Sequence, residues 1–134
     1  MSATAETVST VRVRYAETDR MGVVYYANYL IWFEIGRTEL LRSLGWSYRE
    51  MEAAGVALPV IEAHCEYRRP AQYVDELDIR TQGRMLTPAR MEFRYAIVRH
   101  ADQVVAAEGW TRHAAVNPAG RPCRLPPRIR EVFA

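Results

Sequence analysis

The sequence predicts an α+β fold in which one long, buried helix packs against a single five-stranded antiparallel sheet. Three observations predict it. The segment that follows Asp19 is the most hydrophobic in the chain and repeats its apolar residues at helical spacing. Five other segments alternate apolar and polar residues at the period of a strand. No internal repeat, linker or low-complexity stretch divides the 134 residues, so residues 1–134 read as one domain, with 1–9 as a flexible N-terminus.

The first strand is read at Val11-Arg12-Val13-Arg14-Tyr15, with one face apolar and the other basic. A polar loop with a lone carboxylate, Asp19, then leads into the helix, which runs to about Leu44. Tyr29, Phe33, Gly36, Leu40 and Leu44 repeat at steps of three and four. Leu30, Ile31, Trp32 and Leu41 lie off that stripe, which predicts a helix buried over most of its circumference. Gly36 costs about 1 kcal/mol relative to Ala and marks close packing. Gly45 supplies a left-handed stop.

The helix start carries the functional interest. First-turn N–H groups lack partners within the helix, and Ser, Thr, Asp or Asn normally caps one. The candidate cap positions Val24, Tyr25 and Tyr26 cannot do so, which leaves those donors for an anionic oxygen. The alternative is a later start with Asn28 as the cap.

Ser47-Tyr48-Arg49-Glu50 is a capping box for a second, short helix that Gly55 ends. From Leu58 to Arg69, Ile61, Ala63, Cys65 and Tyr67 alternate with Glu62, His64, Glu66 and Arg68, a long strand with one wet face closed by Pro70. Three more strands follow: Leu77 to Met85, Met91 to Ile97, and Val104 to Val116. The proline-rich end, Pro122 to Arg130, is a surface tail or a short final helix.

Composition narrows the function. No apolar run is long enough to span a membrane, and the N-terminus lacks a signal pattern, so a cytoplasmic protein without membrane insertion is expected. Cys65 and Cys123 share no motif spacing and read as free thiols. A net charge of +2 is too small to argue for nucleic acid. All 18 basic residues are Arg. That either reflects biased base composition or favours phosphate binding, and it excludes a Schiff-base lysine.

The sequence has no G-x-S-x-G elbow, H-E-x-x-H, paired C-x-x-C, Walker loop or G-x-G-x-x-G. His64, between Glu62 and Glu66, lies on a solvated strand face rather than in a metal site, and His113 reads as a structural residue. An enzyme built from this chain would use a carboxylate and backbone dipoles, with no metal and no cofactor.

The segment Tyr15 to Glu34, with Asp19-x-x-Gly22-Val23-Val24-Tyr25-Tyr26-x-Asn28-Tyr29 at its centre, resembles the 4-hydroxybenzoyl-CoA thioesterase family of hotdog-fold proteins. It looks especially like the bacterial YbgC-type acyl-CoA thioesterases. The likeness continues through Arg37-Thr38-Glu39, Gly55 to Val60, Tyr67-x-x-Pro70 to Leu77, and Asn117-Pro118-x-Gly120-Arg121-Pro122. It implies a hotdog fold, hydrolysis of acyl-CoA to a free acid and CoA, and a homodimer or homotetramer. Residues around Leu58 to Glu62 would face the partner's Asp19 loop.

By the same resemblance Asp19 is the catalytic carboxylate, as nucleophile or as general base. Gly22 and Tyr26 bind substrate, with the Tyr26 backbone N–H polarising the thioester carbonyl. Many YbgC-type members carry His where this chain has Tyr26, but a backbone donor survives any side chain. The turn at Thr87-Pro88-Ala89 lacks the basic cluster that the aromatic-acyl branch sets near the CoA phosphates; Arg84, Arg90 and Arg94 are the nearby candidates. The alternative from a different class is a non-catalytic hotdog subunit that binds acyl thioesters or a partner protein.

Overall fold

The computed structural model describes residues 5–134. Five strands form one antiparallel sheet: β1 Glu6–Arg12, β2 Val60–Tyr67, β3 Glu76–Thr87, β4 Arg90–Arg99 and β5 Val105–Ala114, in the order β1-β3-β4-β5-β2. The helix α1, Asn28–Ser43, lies across it; α2 is Tyr48–Ala53 and α3 is Pro127–Val132. The sheet therefore has two edge strands, β1 and β2.

The first strand is earlier than the alternation indicated. It starts at Glu6 and stops at Arg12, paired along its length with β3. Residues 6–9 thus belong to the sheet rather than to a flexible N-terminus, and residues 1–4 lie outside the described residues. Tyr15–Glu17 is a 3-10 turn, not strand. There the Glu17 carboxylate accepts the Arg14 backbone N–H at 2.7 Å, and such local bonding turns the chain out of the sheet.

The core forms between α1 and the inner face of the sheet. Tyr29, Trp32, Phe33, Gly36 and Leu40 are the buried residues of α1. They meet inward residues of β3 and β4, including Leu77, Ile79, Met91, Phe93 and Ile97. The Phe33 ring stacks on Tyr95 with centroids 4.2 Å apart. Side chains of this size contribute about 1.5–3 kcal/mol each when fully buried. Gly36 does mark close packing: a Cβ there would lie 2.2 Å from Thr81 Oγ1 and 2.9 Å from Ile79 Cγ2.

Two expectations change. The helix is not buried all round: Leu30 is 42% and Ile31 53% exposed, because a single sheet covers only one side of a helix. Strand β2 does not have merely one wet face. Val60 and Ile61 are each 44% exposed and Tyr67 48%, and only Cys65 is even half-buried. At the C-terminus a helix forms, not a surface tail, and Leu125, Ile129 and Phe133 seal the end of the core. Ser47 caps α2 as expected, with its Oγ accepting the Glu50 N–H at 3.3 Å.

Candidate active site

Asp19 stands in a tight loop whose strands close on themselves. Thr18 and Val24 form an isolated bridge, and the Asp19 N–H donates to the Val23 carbonyl at 2.8 Å. Its Oδ1 accepts the Met21 N–H at 2.8 Å, and the Gly22 N–H returns to the Asp19 carbonyl at 3.0 Å. Gly22 takes φ +78°, which an L side chain would strain. It makes the turn and does not line the cleft that Asp19 shares with Tyr26. Val24 N–H donates to the Ala71 carbonyl at 2.8 Å, which ties the loop to the segment after β2.

Glu17 is the second anchor. It is 8% exposed, and its carbonyl accepts the Tyr25 N–H and the Asn28 Nδ2–H, both at 2.8 Å. The helix starts at Asn28, later than Val24–Tyr26, with Ala27 as the uncapped N-terminal flank. Asn28 is the first helical residue, not the cap, because its amide is spent on Glu17. The N–H groups of Asn28, Tyr29 and Leu30 turn back to the carbonyls of Tyr25, Tyr26 and Ala27. Among the described residues, no protein acceptor takes the N–H groups of Tyr26 and Ala27. Two free donors thus stand at the positive end of a 16-residue helix, as an anion-binding site requires.

Asp19 and Tyr26 line one open cleft of about 320 Å3, together with Tyr29, Tyr67, Arg68 and Arg69. The Tyr67 hydroxyl donates to the Tyr26 carbonyl at 3.1 Å. Burial, with the neighbouring Cys65 thiol, pushes the Tyr67 hydroxyl up to about 12, so it keeps its proton. Tyr67 also meets the Tyr26 and Tyr29 rings edge-on.

The candidate phosphate ligands lie elsewhere. Arg84 and Arg94 both hold the fully buried Glu92 carboxylate, at 3.0 and 2.9 Å, and Arg112 joins them at 2.9 Å. Burial works to raise the Glu92 pKa, but the three guanidinium groups outweigh it and hold it below the usual carboxylate range. Arg90 is exposed at the start of β4. None of the three lines the Asp19 cleft; Arg68 and Arg69 do. Arg68 is engaged by Glu66 and Glu108, whereas Arg69 has no carboxylate within 4 Å among the described residues. Sequence reasoning passed over Tyr67, Arg69 and Ala27. The one available signal was the Tyr67-x-x-Pro70 stretch, in which Pro70 ends the strand beside the Asp19 loop.

The other histidines are structural or solvated. His64 pairs with Glu66 at 3.0 Å and stacks on Trp110. His113 is 1% exposed, with Nδ1 on the Leu58 carbonyl at 2.9 Å and Nε2 on Thr111 Oγ1 at 2.8 Å.

A carboxylate that shares one cleft with the uncapped start of a helix is an arrangement suited to acyl transfer, and comparison with known proteins points the same way. Residues 13–133 match the profile of the thioesterase-like superfamily. The chain belongs to that superfamily. The acyl-CoA thioester hydrolase YbgC of Escherichia coli is 35% identical over 124 residues, 92% of each chain. The crystal structure of TT1821 from Thermus thermophilus superposes with a TM-score of 0.86 at 37% identity, covering 96% of this chain and 95% of that one. DHNA-CoA thioesterase from Staphylococcus aureus superposes with a TM-score of 0.83 at 30% identity, over 90% of this chain and 80% of that one. The superfamily member described here has the expected hotdog fold and is a thioester hydrolase. No described helix is long and apolar enough to cross a membrane.

Proposed function

We propose that the chain hydrolyses acyl-CoA thioesters, with Asp19 as the catalytic carboxylate and the N–H groups of Tyr26 and Ala27 as the oxyanion donors. The observation that carries this is the single cleft shared by Asp19 and the uncapped start of α1. In the general-base route Asp19 takes a proton from water, and the resulting hydroxide adds to the thioester carbon. The carbonyl electron pair moves onto oxygen, where the two N–H groups and the helix dipole receive it. Collapse breaks the C–S bond, and the leaving CoA thiolate recovers the proton. In the nucleophilic route the carboxylate adds instead, and water hydrolyses the resulting anhydride. Arg69, which lines the cleft and has no carboxylate partner among the described residues, would meet a CoA phosphate. Half-buried free thiols at Cys65 and Cys123 fit a cytoplasmic setting.

The working unit in this reading is a homodimer joined through β2. That strand is an edge with exposed apolar residues and no proline inside it. An antiparallel two-fold centred on Ala63 sets Glu62 opposite His64 twice. A two-fold centred on His64 would set Glu62 against Glu66, so the first register is favoured. It places Tyr67 opposite the partner subunit's Pro59.

A hydrolysis assay over short, long and aromatic acyl-CoAs tests the activity. Asp19→Asn should lower the turnover number by at least about a hundredfold, while Glu52→Gln, on exposed α2, should not. A wild-type protein that binds the panel without hydrolysing it, or an Asp19→Asn variant at near the original rate, would overturn the reading.

A further inference from the structure

A second cavity, of about 230 Å3, lies between α1, α2 and the segment leading into β2. Its walls are mostly apolar, with Leu41, Trp46, Met51 and Phe93 among them. Its polar members are Glu34, Arg37, Thr38 and His113, with Tyr48 beside them. Arg37 is half-buried. Its guanidinium lies near the Tyr95 hydroxyl, whose pKa burial raises, with the Arg37 charge and Thr111 opposing in part.

Among the described residues no carboxylate lies within 4 Å of the Arg37 guanidinium, not even Glu34 one turn before it. A half-buried cation beside apolar walls without a counter-charge is unfavourable unless something else supplies one. His113 cannot: it is neutral and already committed to Leu58 and Thr111.

Asp19 has the mirror-image condition. Its carboxylate has no cation within 4 Å among the described residues; its one protein contact is the Met21 N–H. The two uncompensated charges sit at opposite ends of β2. The Asp19 cleft includes Tyr67 to Pro70, and the Arg37 cavity includes Ala57 and Leu58. Eight strand residues separate those ends by about 25 Å, too far for contact within one chain. An antiparallel two-fold through β2 exchanges the ends, so each Asp19 cleft meets the Arg37 cavity of the other copy.

We infer that Arg37 is a site residue supplied in trans, facing Asp19 and the thioester oxygen across the β2 pairing. This rests on the hydrolase and pairing proposed above. The cation offsets the negative charge that builds on the carbonyl oxygen, and makes the cavity below it the wall against which the acyl group lies.

Two experiments test it together. Arg37→Met should lower kcat/KM by at least about tenfold, and Arg37→Lys, which keeps the charge, by less. Asp19→Asn and Arg37→Met chains are then mixed under conditions that exchange subunits. Each hybrid dimer holds one intact site and one doubly altered site, so activity should return to about a quarter of wild type in a random mixture. A mixture no more active than the sum of its parts would overturn the proposal. The second experiment needs no turnover. A chain carrying Asp19→Cys and Arg37→Cys, with Cys65→Ser and Cys123→Ser, is treated with a short bismaleimide. A covalent dimer that requires both new thiols supports the juxtaposition even if no acyl-CoA is hydrolysed. A chain that stays monomeric on a denaturing gel overturns it even if the enzyme is active.

Discussion

Tyr67 on the edge strand and Tyr26 before the helix are joined by a hydrogen bond of 3.1 Å across 41 residues. The acceptor is the Tyr26 carbonyl, and that carbonyl belongs to the same peptide plane as the Ala27 N–H. Fixing one orients the other, and the Ala27 N–H is one of the two donors without a protein acceptor among the described residues at the helix start. Tyr67→Phe keeps the ring contacts with Tyr26 and Tyr29 and removes this bond together with the hydroxyl's contact with the Cys65 thiol. Turnover should fall by about tenfold, the scale of one misaligned donor, with KM and Tm little changed. Equal turnover in Tyr67→Phe would show that the helix alone orients that peptide.

Gly36→Ala sets two effects against each other. Helix propensity favours Ala by about 1 kcal/mol. The new Cβ, however, would sit 2.2 Å from Thr81 Oγ1, and overpacking of that kind costs about 1–3 kcal/mol. The steric effect should win, with a net loss measurable by urea denaturation. Thr81 Oγ1 is buried without a hydrogen-bond partner among the described residues, so Thr81→Ala gives up little. The double variant removes the closer clash and leaves Ile79 Cγ2 at 2.9 Å, so it should recover part of the loss, a coupling that a double-mutant cycle would detect.

The features legible in the sequence are those written in local periodicity. Alternation located the inner faces of β3 and β4, and Gly36 announced its close packing. The loop around Asp19 was legible because it holds the one carboxylate between a glycine turn and an uncapped helix. What escaped depends on cross-strand register. Arg84 and Arg94 looked like free cations until strand pairing set them, with Arg112, around Glu92. Alternation along β2 implied one covered face, yet the strand is an edge, and order within a sheet is not a local property. The helix start moved to Asn28 because the Glu17 carbonyl, eleven residues upstream, takes its amide.

The β2 pairing makes a charge prediction. With the two-fold at Ala63, His64→Glu sets a carboxylate opposite Glu62 twice, and each such pair costs about 0.2–1 kcal/mol. Dimer dissociation should become several-fold to about tenfold easier by sedimentation. Adding Glu62→Arg should restore it. A wild-type chain that sediments as a monomer at micromolar concentration with full activity would contradict the pairing outright.

His113 predicts how stability changes with pH. Burial, with the Arg37 charge adding to it against the raising effect of the Leu58 carbonyl, brings its pKa from 6.5 down to about 4. In the unfolded chain the imidazole titrates near its ordinary value. Between the two values the unfolded state binds a proton that the native state refuses, so stability rises with pH across that window. The contribution is complete above about pH 6.5. It is lost as pH falls towards about 4, for a total on the order of 3 kcal/mol. Unfolding midpoints in urea at pH 7 and pH 5 should therefore differ, the lower pH being less stable. His113→Gln retains hydrogen-bonding groups but cannot titrate. It should lose some stability at pH 7 and show a much flatter dependence between pH 7 and 5. A slope as steep as that of wild type would assign the acid sensitivity to another group, with the Glu92 cluster the next to examine.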